Sequence, residues 1–246
     1  MTDRQSSSEG QSNSAPAPHE HLEATTRIFL RPIGTPLALG FLALGGASLL
    51  LSGSQLGWFA LSQTTYVAFV LMAFAFPLQS LASVLSFIAR DSAAATGMGI
   101  LATSWLVTGL VKYFSPPGSE SGVLGVFLIY AGAALFVPAT ASVFGKLVPA
   151  LVLFTAGVRF LLTGADQLTA LAGVQYAASV QYASAIVGLV LMVLAFYAAL
   201  ALDIEDVRRK TVLPVLRVGE GKVSVEGSVE EQIERVQREA GVREQL

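Results

Sequence analysis

Few polar side chains interrupt the apolar middle of this chain, and their spacing limits what they can do. Gln79 and Ser83 stand four residues apart in FPLQSLASVLSFIA, which puts an amide and a hydroxyl on one face of a helix. Thr103, Ser104 and Thr108 surround Trp105, and Gln175 and Gln181 stand in the last apolar run. Such groups bond across helices, or meet a solute with dipoles weak enough to let it leave again. Both uses stay open. Arg159 is the one cation well inside an apolar run, read here as sitting near the outer end of its helix. From there it can snorkel to the interface, pair with Asp166 seven residues on, or act on a solute.

No spacing of residues suggests a chemical active site. The two histidines, His19 and His21, lie in a polar N-terminal stretch, and there is no cysteine. That removes a histidine base from the apolar region, a thiolate nucleophile and thiolate metal ligation. No phosphate-binding glycine loop or Walker sequence is present, and no acidic pair or acid-histidine cluster stands in the spans. The expectation is a protein that is not an enzyme, with no cofactor and no metal.

The elements that must position these residues follow from composition. Hydrophobic residues make up 53% and charged residues 13%, against about 25% charged in soluble domains. Pro32 to Ala89 and Gln167 to Leu202 carry no Asp, Glu, Lys or Arg. Crossing a bilayer takes about 20 mostly apolar helical residues. Candidates are 36–51, 65–89, 96–114, 123–143, 147–162 and 174–202, separated by SGSQLG, RDSAAATG, SPPGSESG, FGK and TGADQL. The fold class is an all-α membrane protein, a six-transmembrane-helix bundle. Arg27, Arg31, Arg90, Lys146, Arg208, Arg209 and Lys210 fall on one side, Lys112 and Arg159 toward the other. This asymmetry makes both termini cytoplasmic. Small residues at Gly40, Gly45, Gly46, Gly97, Gly99, Gly125, Gly132 and in the last span, with Pro77, Pro138 and Pro149, suit close and bent helix packing.

The flanks are polar. Residues 1–27 read as a disordered tail, 28–210 as the transmembrane domain, and 211–246 as a cytoplasmic tail. In that tail LRVGEGKVSVEG reads as a short hairpin. Ser228 and Glu231 open an amphipathic helix with Val229, Ile233, Val236 and Ala240 on one stripe.

Four segments in order resemble the acetate uptake transporters, the succinate/acetate permease family. YAALALDIEDVRRKTVLP (197–214) matches a Tyr-containing last span, an acidic and basic patch and TVLP; IGTPLAL (33–39) resembles NPAPLGL before the first span. Gln79 with Ala82 and Ser83 is similar to Gln-x-x-Ala-Gly, and LGVFLIYAG (124–132) to an LGVYLGLWG-type start of the fourth span. The resemblance implies a homo-oligomer, a hexamer, with a pathway in each subunit for acetate or a similar short monocarboxylate, and the dicarboxylate succinate as a further candidate. Passage is passive or proton-coupled, at the cell membrane, with no nucleic-acid partner. Pathway residues by this match and by side-chain type are Thr35, Pro36, Leu37, Leu39, Gln79, Ser83, Thr103 and Ser104. The family's apolar constriction on the first, third and fifth spans falls at Phe41 or Leu42, at Ser104 or Trp105, and near Ala156 with Phe154 the nearest bulky neighbour. Ile33, Gly34, Ala38 and Ser86 depart from the family pattern. A non-transporting membrane scaffold or sensor of the same fold is the alternative of another class.

Overall fold

Long apolar runs leave helix as the way to pair every backbone N–H and C=O without water, and helix is what the computed structural model of the protein contains. It describes residues 34–208, 210–218 and Ser228. The tail 1–27, Arg31, Ile33, Arg209, the expected hairpin around Gly219 and the stripe Val229 to Ala240 lie outside the described residues.

Among the described residues six helical stretches are long and apolar enough to cross a membrane. They are α1 (Leu37–Gln55), a composite second span (Leu61–Ile88), α4 (Ser92–Phe114), α5 (Gly122–Val143), α6 (Leu147–Leu171) and α7 (Ala177–Arg208). The second span joins α2 (Thr64–Val70) to α3 (Phe76–Ile88) through a π-helical segment, Leu71–Ala75. Pro77 follows directly and cannot donate to the carbonyl one turn back, so the widened turn falls where the ladder must be interrupted. Asp91 caps α4, its Oδ1 accepting from the Ala94 N–H at 3.0 Å, and Ser121 caps α5 through the Leu124 N–H at 3.3 Å. Gly118, at φ +81°, turns the chain after Pro116 and Pro117.

Four expected boundaries need correction. The first span runs to Gln55 rather than ending at 51, so SGSQLG breaks the helix only at Leu56 and Gly57. RDSAAATG is a break only at Arg90 and Asp91, because the Asp91 cap starts α4 at Ser92. TGADQL is helical, which extends the fifth span from an expected end at 162 to Leu171. Its polar residues are buried against partners, Gln167 donating to Glu120 and accepting from the Ser121 N–H at 3.2 Å. Gln175, expected in the sixth span, lies exposed in the loop before α7.

The helices form a closed ring in which each span packs on the next and α7 returns to α1. Glycines set the closest approach. A Cβ on Gly132 would stand 2.8 Å from the Gly157 carbonyl oxygen, and one on Gly125 3.0 Å from that of Gly164, so α5 and α6 touch backbone to backbone. The outward surface carries Tyr66, Phe69, Val126, Tyr130, Val137 and Phe196, all exposed and apolar, as a lipid-facing surface must be.

After α7 the chain folds back as a strap. The carbonyls of Leu216 and Val215 accept from the N–H groups of Leu147 (3.1 Å) and Val148 (3.3 Å), and the Val218 N–H donates to Gly145 (3.0 Å). The strap thereby satisfies orphan donors at the start of α6. Arg217 pairs with the buried Glu205, the Thr211 hydroxyl reaches the same carboxylate, and the Tyr197 hydroxyl donates to the Pro214 carbonyl at 3.0 Å. TVLP and the residues after it are thus a clasp between the ends of α7 and α6.

Candidate functional site

Spans one, three and five run in the same direction, and their N-termini meet on the strap side of the ring. There they enclose a cavity of about 140 Å³ lined by Leu37, Phe41, Ala94, Met98, Pro149 and Leu153, with Asp91 and Lys146 at its polar edge. One water needs about 10–15 Å³ of such space, so a small organic anion fits. Three converging helix N-termini make the local field positive. The start of α1 has no side-chain cap. Lys146 adds a full charge, which Asp91 at 3.6 Å partly offsets.

From the cavity, three stripes climb the axis in step. Phe41, Leu44 and Ser48 lie on one face of α1, Met98, Leu101 and Trp105 on one face of α4, and Leu153, Ala156 and Phe160 on one face of α6. All nine are buried. Each stripe starts at the cavity and rises seven residues, roughly 10 Å, so Ser48, Trp105 and Phe160 share a layer. The rings of Trp105 and Phe160 meet edge to face at 5.5 Å, as a common depth requires.

Above this apolar layer the interior turns polar. Ser52, Thr108 and Thr163 are buried on the same three spans. Arg159 lies twelve residues from either end of α6, about 18 Å along the axis from each, and is 0% exposed. It is therefore at mid-helix, not near the outer end, and neither snorkels nor pairs directly with Asp166. Its Nη1 donates to Ser52 Oγ at 2.7 Å and to the Ser184 carbonyl at 3.0 Å, and its Nη2 to Gln55 Oε1 at 3.2 Å. Gln55 Nε2 donates onward to Ser184 Oγ (3.2 Å) and Asp166 Oδ2 (3.4 Å). The guanidinium joins three neighbouring spans, α6, α7 and α1.

The residues singled out by sequence divide between interior and surface. Phe41 is buried whereas Leu42 is 46% exposed, so the inward residue of α1 is Phe41. Trp105 and Ala156 face inward; Ser104 is also buried, but its hydroxyl donates to the Ile100 carbonyl at 2.7 Å. Thr103 is exposed and bonds its own helix at Gly99 and Ile100, which takes it off the axis. Phe154 stacks on Phe136 between α6 and α5, away from the three stripes. Leu37 lines the cavity, while Thr35, Pro36 and Leu39 sit half-buried at the lead-in to α1. Gln79 and Ser83 act across helices, Gln79 Nε2 to the Gly40 carbonyl at 3.2 Å and Ser83 Oγ to the Ala95 carbonyl at 2.7 Å. They hold the second span to the first and third. Gly34, where the family has proline, fits its surroundings: a Cβ there would stand 3.2 Å from Asp206 Oδ2.

Sequence reasoning missed Ser48, Ser52, Gln55 and Ser184. The first three recur at i, i+4 and i+7 on α1, a polar stripe in an otherwise apolar helix that marks an inward face.

The architecture defines a class, a six-span helical membrane bundle with its polar residues turned inward. Among solved structures it is similar to the bacterial acetate channel SatP, with a TM-score of 0.63 and 22% identity over 74% of this chain and 99% of that one. The fold expected from the sequence resemblance is therefore the fold found. No family model and no curated sequence matches the chain.

Proposed function

We propose that this protein is a membrane channel or transporter for acetate or a similar short-chain monocarboxylate, with the dicarboxylate succinate a second and poorer candidate. The observation that carries the reading is the cavity at three helix N-termini, leading into an apolar stretch that rises from Phe41 through Leu44, Leu101 and Ala156 to Trp105 and Phe160. A short carboxylate has one negative charge, suited to the N-termini and Lys146, and a methyl group, suited to an apolar constriction. A larger or more polar solute would pay desolvation there without return. The solved acetate channel of the same fold supports the choice of solute.

The strap side, with Arg90, Lys146, Arg208, Lys210 and Arg217, is cytoplasmic in this proposal, and the protein sits in the cell membrane. It works as a homo-oligomer, a hexamer by resemblance, each subunit with its own pathway. Passage is passive or proton-coupled. Reconstitution into liposomes and uptake of labelled acetate, lactate and succinate test the reading. Protein-dependent uptake with acetate preferred is expected. No flux above protein-free vesicles at any pH or membrane potential refutes it and leaves the scaffold or sensor alternative.

A further inference from the structure

We infer that Arg159 forms a carboxylate-binding site beyond the apolar layer, in the half of the bundle away from the strap and at the last turn of α1, with Gln55 and Ser52 occupying it in the resting state. The inference rests on the carboxylate reading of the pathway above. Arg159 is fully buried, yet no carboxylate among the described residues forms an ion pair with it. Its acceptors are all neutral: a serine hydroxyl, an amide oxygen and a main-chain carbonyl. A guanidinium fork is matched to a carboxylate, which takes two parallel charge-assisted bonds. Ser52 and Gln55 are able to turn and donate once an anion replaces their oxygens.

Unpartnered donors point the same way. Among the described residues five buried polar atoms lack a hydrogen-bond partner, and three of them, Ser48 Oγ, Trp105 Nε1 and Arg159 Nε, lie on the odd-numbered spans that line the axis. Ser48 stands one turn below Ser52 on the same face of α1, in the layer of Trp105. Native interiors rarely leave such donors empty without a reason. A carboxylate leaving the apolar layer would meet the Ser48 hydroxyl and the Trp105 N–H first and the guanidinium next. Gly188 keeps the space open, since a Cβ there would overlap the guanidinium.

The chain has two tryptophans, Trp58 and Trp105, and Trp58 is exposed. In a Trp58→Phe background the emission of Trp105 reports on the site in the full-length, reconstituted protein. Acetate is expected to change it saturably, and acetamide, the neutral isostere, is not. Gln55→Glu sets a fixed carboxylate beside the guanidinium with little change of volume, at the loss of the amide's bonds to Ser184 and Asp166. It is expected to raise the half-saturating acetate concentration about tenfold or more, in fluorescence and in flux alike, as the loss of a charge-assisted hydrogen bond implies. Arg159→Lys, which keeps the charge without the fork, is expected to weaken binding in the same direction. Equal half-saturation in parent, Gln55→Glu and Arg159→Lys overturns the inference, as does an equal response to acetamide. Flux with unchanged half-saturation removes the site and leaves the transport reading standing. A saturable, Gln55-sensitive fluorescence response without flux keeps the site and removes the transport reading.

Discussion

Substituting Gly188 by alanine tests whether the Arg159 network is as tightly caged as its geometry says. A Cβ at Gly188 would overlap Arg159 Nη1 and crowd Ser52 Oγ, so the guanidinium must leave both its Ser52 and Ser184 bonds. Hydrogen bonds to charged groups contribute about 1.5–3 kcal/mol each. The low end is appropriate in a membrane interior, where the unfolded reference state also finds partners, so two bonds come to about 3 kcal/mol. Alanine returns about 1 kcal/mol over glycine through helix propensity, leaving a net loss of about 2 kcal/mol. For a chain of this size that lowers the unfolding midpoint by about 4–8 °C. Gly45→Ala on the same α1–α7 seam is the control. Its Cβ would meet the Met192 carbonyl oxygen at 3.5 Å, ordinary contact, so the midpoint should hold or rise slightly. Thermal unfolding of the three proteins in detergent makes the comparison. A Gly188→Ala protein as stable as its parent, or two glycine variants that behave alike, would refute the caging argument.

Other consequences follow from the inward and outward faces and from the strap. Phe41→Ala opens the apolar layer and is expected to raise acetate flux several-fold and admit longer monocarboxylates, whereas Leu42→Ala, on the exposed face, should leave both unchanged; uptake in proteoliposomes separates the two. Glu205→Gln removes the charge that pairs with Arg217 and receives the Thr211 hydroxyl. Breaking one side of a buried pair costs about 3–5 kcal/mol, so limited proteolysis is expected to cut within 210–218 far faster than in the parent. An unchanged cleavage rate would show that the strap is held by its main-chain bonds to Gly145, Leu147 and Val148 alone.

What the sequence disclosed, and what it withheld, have physical reasons. Six spans were legible because a charge-free run such as 32–89 has no other way to satisfy its backbone. Gln79 with Ser83 declared an inward face by spacing alone. The choice between Phe41 and Leu42 could not be read, because α1 is apolar all round and adjacent residues differ by about 100° in direction. The outer half of α6 looked like a turn because Thr163, Gly164, Asp166 and Gln167 are turn-prone in isolation. Their partners, Ser184, Gln55 and Glu120, come from other parts of the chain and carry no local signal. That truncation also put Arg159 near a helix end when it stands at the middle. TVLP was legible as a sequence feature, but its mechanical role needed the three-dimensional path: Thr211 and Pro214 bond back to α7, and the Val215 and Leu216 carbonyls that follow cap α6.

The central claim is that solute passes between the inward stripes of the first, third and fifth spans. The chain has no cysteine, so a single introduced thiol gives a clean test. Ala94→Cys places one on the cavity wall and Val126→Cys one on the exposed face of α5. Labelled-acetate uptake is measured before and after complete modification by a bulky thiol reagent. The account expects flux through the Ala94→Cys protein to fall to the level of protein-free vesicles while the Val126→Cys protein is unaffected. Undiminished flux through a fully modified Ala94→Cys protein would contradict it.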